Sequence, residues 1–135
     1  MFQAVEQLML AALLGGMVFF ASIVAPVVFQ ALPADAAGRF LRRIFPRYYA
    51  YVAITSAAAA VLAWRIPWAA ATLALISVTT LFVRQWLVPR INAWRDAELA
   101  GDTSAGKRFA LGHRVSVLIN LAQLSAVIAV VVLRA

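Results

Sequence analysis

The chain is organised as long apolar runs separated by shorter stretches rich in arginine. Four apolar runs cover about residues 5–32, 48–64, 68–88 and 113–133. Each is near the ~20 residues that an α-helix needs to cross the ~30 Å hydrocarbon core of a bilayer. None alternates with period two, so the pattern predicts helices and not the strands of a barrel. We therefore expect one all-α domain over residues 1–135, an integral membrane antiparallel four-helix bundle.

The connections after the second run carry turn and helix signals of their own. Residues 65–67 separate the second and third runs, and Pro67 suits the first turn of a helix because its missing N–H costs nothing there. Residues 90–100 predict that the third helix continues beyond the membrane. A turn containing two glycines is expected over residues 101–106. The second and third helices should therefore form a tight hairpin.

The connection between the first and second runs is amphipathic. Within residues 39–47 the cationic side chains share one helical face, and Phe40 and Ile44 lie on another. Such a segment predicts a short interfacial helix that lies in the headgroup plane and binds anionic lipid. A gate or a partner surface is the alternative. The lipid-interface residues predicted here are Arg39, Arg42, Arg43 and Arg47.

The composition agrees with the bilayer as the main solvent of the chain. Apolar residues make up 65% and charged residues 13%, against about 45–50% and about 25% in soluble domains. A water-soluble fold of this size could not bury that much apolar surface, because small domains have high surface-to-volume ratios. The absence of cysteine excludes disulfides, thiolate catalysis, iron–sulfur clusters and cysteine zinc sites.

The net charge of +7 arises mainly at the ends of the apolar runs. Only Arg65 and Arg134 lie on one predicted side of the membrane, which leaves ten of the 12 cations on the other side. Because cytoplasmic loops carry the excess of Lys and Arg, both larger loops should be cytoplasmic and both termini non-cytoplasmic. We expect the protein to lie in the bacterial inner membrane and to contact anionic lipid headgroups. No nucleic-acid-binding pattern is present, so no nucleic acid is expected.

The fourth run carries polar residues along one helical face. His113, Ser116, Asn120 and Gln123 follow the spacing i, i+3, i+7, i+10. At 1.5 Å per residue, Asn120 lies about 10 Å deeper than His113. Polar groups inside membrane helices are costly, so this polar stripe should face the interior of the bundle. Two interpretations are open: hydrogen bonds that hold the helices together, or a site for a ligand or solute.

The first run contains a proline at a similar depth. Pro26 removes one backbone hydrogen bond and should interrupt the helix, which frees the carbonyl of Ser22. Broken helices and polar side chains that meet at one depth are typical of binding sites in membrane proteins. Ser22 and Pro26 are therefore candidate ligand-binding residues. An ordinary proline kink is the other interpretation.

Three arginines near the cytoplasmic ends of the third and fourth runs form a further candidate site. No carboxylate is expected at the level of Arg84 in any span, so its guanidinium should reach the interface or bind an anion there. The cationic mouth predicted below the polar stripe consists of Arg84, Arg90 and Arg114. Its ligand would be an anionic lipid headgroup or an anionic solute.

Signals for catalysis and cofactors are weak. His113 is the only histidine, so one chain cannot supply two histidine ligands to haem, and we expect no metal. Glu6 is the only acid near a span, and no nucleophile elbow, phosphate loop or zinc-protease motif occurs. The sequence predicts no cofactor and no catalytic residue. It favours a non-enzymatic protein.

Four short motifs occur in order along nearly the whole chain. They are residues 29–33 (FQALP), residues 44–48 (IFPRY), residues 86–90 (WLVPR) and the spaced set Phe109, His113, Ser116 and Asn120. In these motifs the chain resembles the transmembrane protein 205-like family of small membrane proteins. The resemblance implies a four-span bundle and brings no accepted activity. It also implies that the family pattern includes Pro46, Pro89, Arg90, His113 and Asn120.

Three hypotheses of function follow. The first is a protein whose polar intrabundle site binds or passes a small ligand. The second is a structural or assembly module that packs with a second copy or with another membrane protein through glycine- and alanine-rich faces, such as that around Gly15 and Gly16. The third is a small membrane redox protein that binds haem or quinone, which a single histidine and no cysteine support least.

Overall fold

The computed structural model describes all residues from 1 to 135, and the chain is helical throughout, without β-strands. It folds into four long helices joined by short connections: α1 (Phe2–Ala31), α2 (Ala34–Leu62), α3 (Pro67–Leu99) and α4 (Thr103–Leu133). Three of them, α1, α3 and α4, are long and apolar enough to cross a membrane. The fourth, α2, is not among them because its first half carries charged residues. The structure therefore indicates an all-helical integral membrane protein.

The helix ends follow local sequence signals. Pro67 lies in the first turn of α3, as the sequence predicts. The third helix continues to Leu99, and Gly101 then turns the chain with a φ of 108°, a conformation that favours glycine. The fourth helix begins at Thr103, inside the turn predicted over residues 101–106, so the turn is shorter than expected. The reason is Asp102, whose carboxylate accepts hydrogen bonds from the backbone N–H groups of Ser104 and Ala105.

The predicted separate interfacial helix is not a separate element. Residues 39–47 are the first half of α2, which continues without a break through Pro46. Proline removes one backbone hydrogen bond, and two contacts hold the chain in place around it, one within α2 and one from α3. The ring of Phe45 stacks on that of Tyr49 one turn later, with 5.6 Å between centroids. The carbonyl of Pro46 accepts a hydrogen bond of 2.9 Å from Nε of Arg84.

The other two helix prolines follow π turns. In α1 a π turn over Phe20–Val24 precedes Pro26, and in α3 a π turn over Val83–Leu87 precedes Pro89. Each wide turn places its proline near the start of the next α-helical segment, Ala25–Ala31 or Val88–Leu99, where a missing N–H is tolerated. The predicted interruption at Pro26 is therefore a local widening, and the helix continues to Ala31.

The core forms where α2 packs along α1 and α3. Tyr51 of α2 lies against Gly16 of α1, and its hydroxyl donates a 2.5 Å hydrogen bond to the carbonyl of Ala12. The extension of α3 packs against the first half of α4. At the far end, buried Glu6 of α1 forms an ion pair with Arg134, so the two ends of the chain lie side by side.

Candidate functional site

Two adjoining cavities lie at the end of the molecule that carries the α1–α2 and α3–α4 connections. The larger, about 330 Å³, is bounded mainly by the first half of α2, the extension of α3 and the start of α4. The smaller, about 250 Å³, lies between α1, α2 and α4. The two cavities share a wall of five residues, which are Phe29, Phe45, Tyr49, His113 and Ser116.

The larger cavity has a basic side. Arg42 of α2 donates to Asp96 of α3 at 2.6 Å and to the carbonyl of Asn92 at 3.1 Å. Arg95, one turn away from Asn92, donates to Glu98 at 2.9 Å, and its guanidinium lies 5.3 Å from the ring centroid of Phe109. The guanidinium groups are thus fixed in position by partners on α3. These contacts make the wall between α2 and α3 polar.

A cluster of four aromatic rings lines the smaller cavity, and two of them, Phe45 and Tyr49, also line the larger one. Phe20 of α1 stacks on Tyr48 with 4.1 Å between centroids, and Phe45 lies 5.4 Å from Phe20. Tyr48 and Tyr49 are 5.4 Å apart in a tilted arrangement. Stacked and tilted ring pairs are favourable beyond their buried area. The cluster therefore gives this part of the site a rigid and largely apolar wall.

The smaller cavity is mostly apolar. Its walls include the small side chains Ala21 and Ala25 of α1 and the apolar Val117 and Leu121 of α4. Its most polar contact is the hydrogen bond of 3.0 Å from Nδ2 of Asn120 to the hydroxyl of Tyr48. Because alanine extends only one carbon from the helix, Ala21 and Ala25 leave the space between α1 and α4 unfilled at this level.

Tyr49 differs from the other tyrosines in its hydrogen bonding. Its side chain is 6% exposed and lines both cavities. The Tyr48 hydroxyl accepts from Asn120 and the Tyr51 hydroxyl donates to Ala12, whereas no protein group bonds the hydroxyl of Tyr49. Buried tyrosine hydroxyls usually have a partner. The Tyr49 hydroxyl is thus a donor available at the junction of the cavities.

The polar stripe of α4 divides into two parts in the structure. His113 and Ser116 line both cavities, and Asn120 lines the smaller one. Ser116 donates to the carbonyl of His113 at 2.7 Å. Gln123 lies outside both cavity walls. Its amide donates to two threonine hydroxyls of α3, at 2.8 Å to Thr79 and 3.1 Å to Thr80.

The candidate residues of α1 lie beside the smaller cavity and do not line it. The hydroxyl of Ser22 donates to the carbonyl of Val18 at 2.5 Å, and Ser22 is exposed. Pro26 is half-buried next to Ala25, which lines the cavity. The α1 wall is therefore formed by small and aromatic neighbours of the two predicted residues.

The three arginines of the predicted cationic mouth lie apart from the cavities. Arg84 is engaged with the carbonyl of Pro46. The guanidinium of Arg90 lies 3.8 Å from the ring centroid of Trp86, a cation–π contact. Arg114 is exposed on α4. The arginines that line the larger cavity are instead Arg42 and Arg95.

The remaining predicted interface arginines lie on the exposed surface of α2. Arg39 forms an ion pair of 3.1 Å with Asp35, and its hydrogen bond holds the pKa of that carboxyl below the usual value. Arg47 donates to the carbonyl of Arg43 at 2.5 Å. Arg42 belongs to this set by sequence and also reaches the cavity.

Sequence reasoning did not identify Tyr48, Tyr49 and Arg95 as site residues. A usable signal was present, because two adjacent tyrosines at the start of an apolar run bring two hydroxyls into a region with few partners. Arg95 carried no such signal, since its position depends on how the α3 extension packs against α4. Phe109 belongs to a sequence motif, but the motif does not indicate that its ring is the aromatic partner of Arg95.

The fold and these cavities define the class: an all-helical integral membrane protein with a cavity between its helices. The chain belongs to the family described as Domain of unknown function (DUF4149), whose model matches residues 8–99. That match covers most of α1 and all of α2 and α3, so the polar stripe of α4 lies beyond it. Comparison with curated proteins and with solved structures found no match.

Proposed function

We propose that this protein is a four-span antiparallel bundle in the bacterial inner membrane, with both termini on the non-cytoplasmic side. The arginine distribution supports this orientation, since the cationic ends of α2 and α3 lie together. The pairing of Glu6 with Arg134 supports an even number of crossings, because it places the start of α1 beside the end of α4. The four motifs noted in the sequence support kinship with the transmembrane protein 205-like family.

Within that bundle, we propose that the two cavities bind a small amphiphilic molecule taken from the bilayer, without chemical conversion. The observation that carries this proposal is that a mostly apolar cavity with two arginines on its wall adjoins a second mostly apolar cavity without them, through a shared wall. Ligand sites are concave and mostly apolar, with a few polar groups that fix orientation. An amphiphile has this same division into a polar head and an apolar part.

The depth of the two cavities fits such a ligand. Arg42 lies on the same stretch of α2 as the exposed arginines that are expected at the headgroup level. Tyr48 and Asn120, which line the smaller cavity, lie farther along α2 and α4 toward the bilayer centre. A bound amphiphile would thus keep its head at the interface and its apolar part in the hydrocarbon region. On binding, the head would stay in a polar environment and the apolar part in an apolar one.

Entry from the bilayer is favoured by the gap between α1 and α4. Ala21 of α1 and Val117 and Leu121 of α4 line the smaller cavity and are themselves exposed. In the bilayer those exposed apolar side chains would face lipid chains. An apolar molecule could then move between lipid and cavity without crossing a polar barrier.

The proposal is tested by filling the cavities. Gly38 lines the larger cavity, and a Cβ at Gly38 would meet no atom within 4 Å, so Gly38→Leu adds a side chain to the cavity wall at a position where its first carbon fits. Gly15 is also helical with no atom within 4 Å of an added Cβ, and it lines neither cavity, so Gly15→Leu is the matched control. Ala25→Leu and Ala11→Leu form the equivalent pair for the smaller cavity.

Native mass spectrometry of gently solubilised protein measures the bound molecule and the oligomeric state together. We expect an amphiphile on the wild type and on both controls, and at least a tenfold loss of occupancy in Gly38→Leu or Ala25→Leu. Equal occupancy in all five proteins would contradict binding in the cavities. Spectra that show only protein oligomers, with no small molecule, would favour the assembly module.

A further inference from the structure

We propose that the larger cavity selects an oxyanion head, a carboxylate or a phosphate, attached to one apolar chain, and that Tyr49 acts with Arg42 and Arg95 as a specificity-determining residue. The inference rests on the proposed function and names the ligand class of the same site. It is argued from the charges, the hydrogen-bond donors and the shape of the cavity walls.

The charges of the larger cavity all have one sign. Its ionisable lining residues, other than Tyr49, are Arg42, Arg95 and His113, and no aspartate or glutamate lines it. The carboxylates that pair with the arginines, Asp96 and Glu98, lie outside the cavity wall. A head with negative charge would therefore meet donors and cations at close range and carboxylates only behind them.

The two guanidinium groups keep donors available. A guanidinium has five N–H donors in a planar fork that fits carboxylate and phosphate oxygens. Arg42 uses its two terminal nitrogens for Asp96 and for the carbonyl of Asn92. Arg95 uses Nη1 for Glu98 and no other hydrogen bond. The fork of Arg95 is thus mostly unoccupied, while its partners hold it in place.

Tyr49 supplies a donor that faces both cavities. The buried ring of Tyr49 stacks on that of Phe45, and the Tyr49 hydroxyl has no hydrogen-bond partner in the protein. Tyr48, the neighbouring ring, already accepts from Asn120. Because Tyr49 lines both cavities, its O–H can donate to the head of a ligand whose chain lies in the smaller cavity. Hydrogen bonds to charged groups are stronger than those to neutral ones.

The dimensions favour one chain over two. The smaller cavity has a volume of about 250 Å³, below the ~300–1,000 Å³ of pockets that enclose a whole drug-sized molecule. It can hold the first part of a single acyl chain, with the rest extending through the gap between α1 and α4. A free fatty acid and a single-chain phospholipid with a terminal phosphate share this chemistry.

Photolabelling tests the inference on the full-length protein in phosphatidylcholine nanodiscs. The probes are a diazirine-bearing palmitic acid and the diazirine-bearing alcohol of the same chain length. We expect saturable labelling by the acid, competition by palmitate and none by hexadecanol. Lysophosphatidic acid is the second competitor: stronger competition by it indicates a phosphate head, and stronger competition by palmitate indicates a carboxylate head.

Two pairs of variants locate the head. Tyr49→Phe should raise the palmitate concentration needed for half-maximal competition about tenfold, as expected for loss of one hydrogen bond to a charged group. Tyr51→Phe, whose hydroxyl bonds Ala12 away from both cavities, should leave it unchanged. Arg95→Gln should weaken labelling by the acid, and Arg90→Gln should not. Each variant is compared by its thermal unfolding, so a folding defect is recognised separately.

The outcomes separate the inference from the proposed function. Equal labelling by acid and alcohol overturns the oxyanion head and leaves amphiphile binding in place. Saturable labelling by neither probe also overturns it, and the cavity-filling variants then decide the proposed function by their mass spectra. Wild-type competition in Tyr49→Phe overturns the role assigned to Tyr49, and wild-type labelling in Arg95→Gln overturns the placement of the head at this wall.

Discussion

The structure predicts that Gln123 stabilises the fold and does not belong to the proposed ligand site. Gln123 is 7% exposed, lies outside both cavity walls and donates to Thr79 and Thr80 of α3. Replacing it with leucine keeps the volume and the apolar environment and removes both donors. Hydrogen bonds between membrane helices contribute about 0.6–2 kcal/mol per contact. We therefore expect Gln123→Leu to lower the free energy of unfolding by about 1–3 kcal/mol.

The size of the effect can be assigned to the hydrogen bonds by a double-mutant cycle. Thr80→Val removes one acceptor, and Gln123→Leu combined with Thr80→Val should cost less than the sum of the two single changes. Ser125→Ala is the control on the same helix, since Ser125 is exposed and bonds only the carbonyl of Leu121. Steric-trap unfolding in bicelles measures all four variants, and we expect no change for the control.

The same variants distinguish the two interpretations of the polar stripe. Gln123→Leu should keep its bound amphiphile in native mass spectra while unfolding more easily. Asn120→Leu should reduce ligand occupancy, because Asn120 lines the smaller cavity and positions Tyr48. A Gln123→Leu protein of unchanged stability and reduced occupancy would refute the division of the stripe.

Three further predictions concern packing and helix ends. Gly16→Ala would bring its Cβ into a tyrosine ring of α2 and should cost about 1–3 kcal/mol by thermal unfolding, whereas Gly15→Ala should be neutral or slightly stabilising; equal stability of the two would be inconsistent with the close approach. Asp102→Ala should reduce hydrogen-exchange protection of the first turn of α4. The Ser104 hydroxyl and the helix N–H groups lower the pKa of Asp102. The capping contribution to stability is therefore complete above the usual carboxyl pKa and is lost as pH falls through the lower pKa of the folded state. Hydrogen-exchange protection that does not decline in acid would refute this role of Asp102. Glu6→Leu and Arg134→Leu should each destabilise by about 3–5 kcal/mol, and the double variant by less than either, since an unpaired buried charge costs more than an apolar pair; additive losses would argue against the ion pair.

Much of the fold could be predicted from sequence because lipid leaves few choices for an apolar chain. Runs of about 20 apolar residues are helices whatever their neighbours are, and Pro67 and Gly101 indicate where α3 begins and where it has ended. The continuity of α2 was not predictable in the same way. Whether proline ends a helix depends on its packing, and Pro46 is supported by Arg84 from another helix.

The candidate site was predicted only in part. The spacing of His113, Ser116 and Asn120 identifies one helical face, and these three residues do line the cavities. Spacing along one helix cannot show where the wall ends, so Gln123 was grouped with them although it bonds α3. Arg95 and Tyr49 lie at the site because of contacts between helices, and a single sequence does not display such contacts.

The π turn of α1 determines which of its residues face the interior of the molecule. An α-helix turns about 100° per residue, and a π turn holds one residue more than an α turn. The extra residue is taken up within the wide turn, so the segment after it keeps its direction and the sequence spacing of the inward face shifts by one position. In α1, Leu13 and Met17 fill the core before the turn, while Ala25 and Phe29 line the cavities after it. A regular α-helix over Phe20–Val24 at unchanged chain length would rotate Ala25 and Phe29 by about 100° away from the cavities, so the wide turn is as much a part of the site as its side chains.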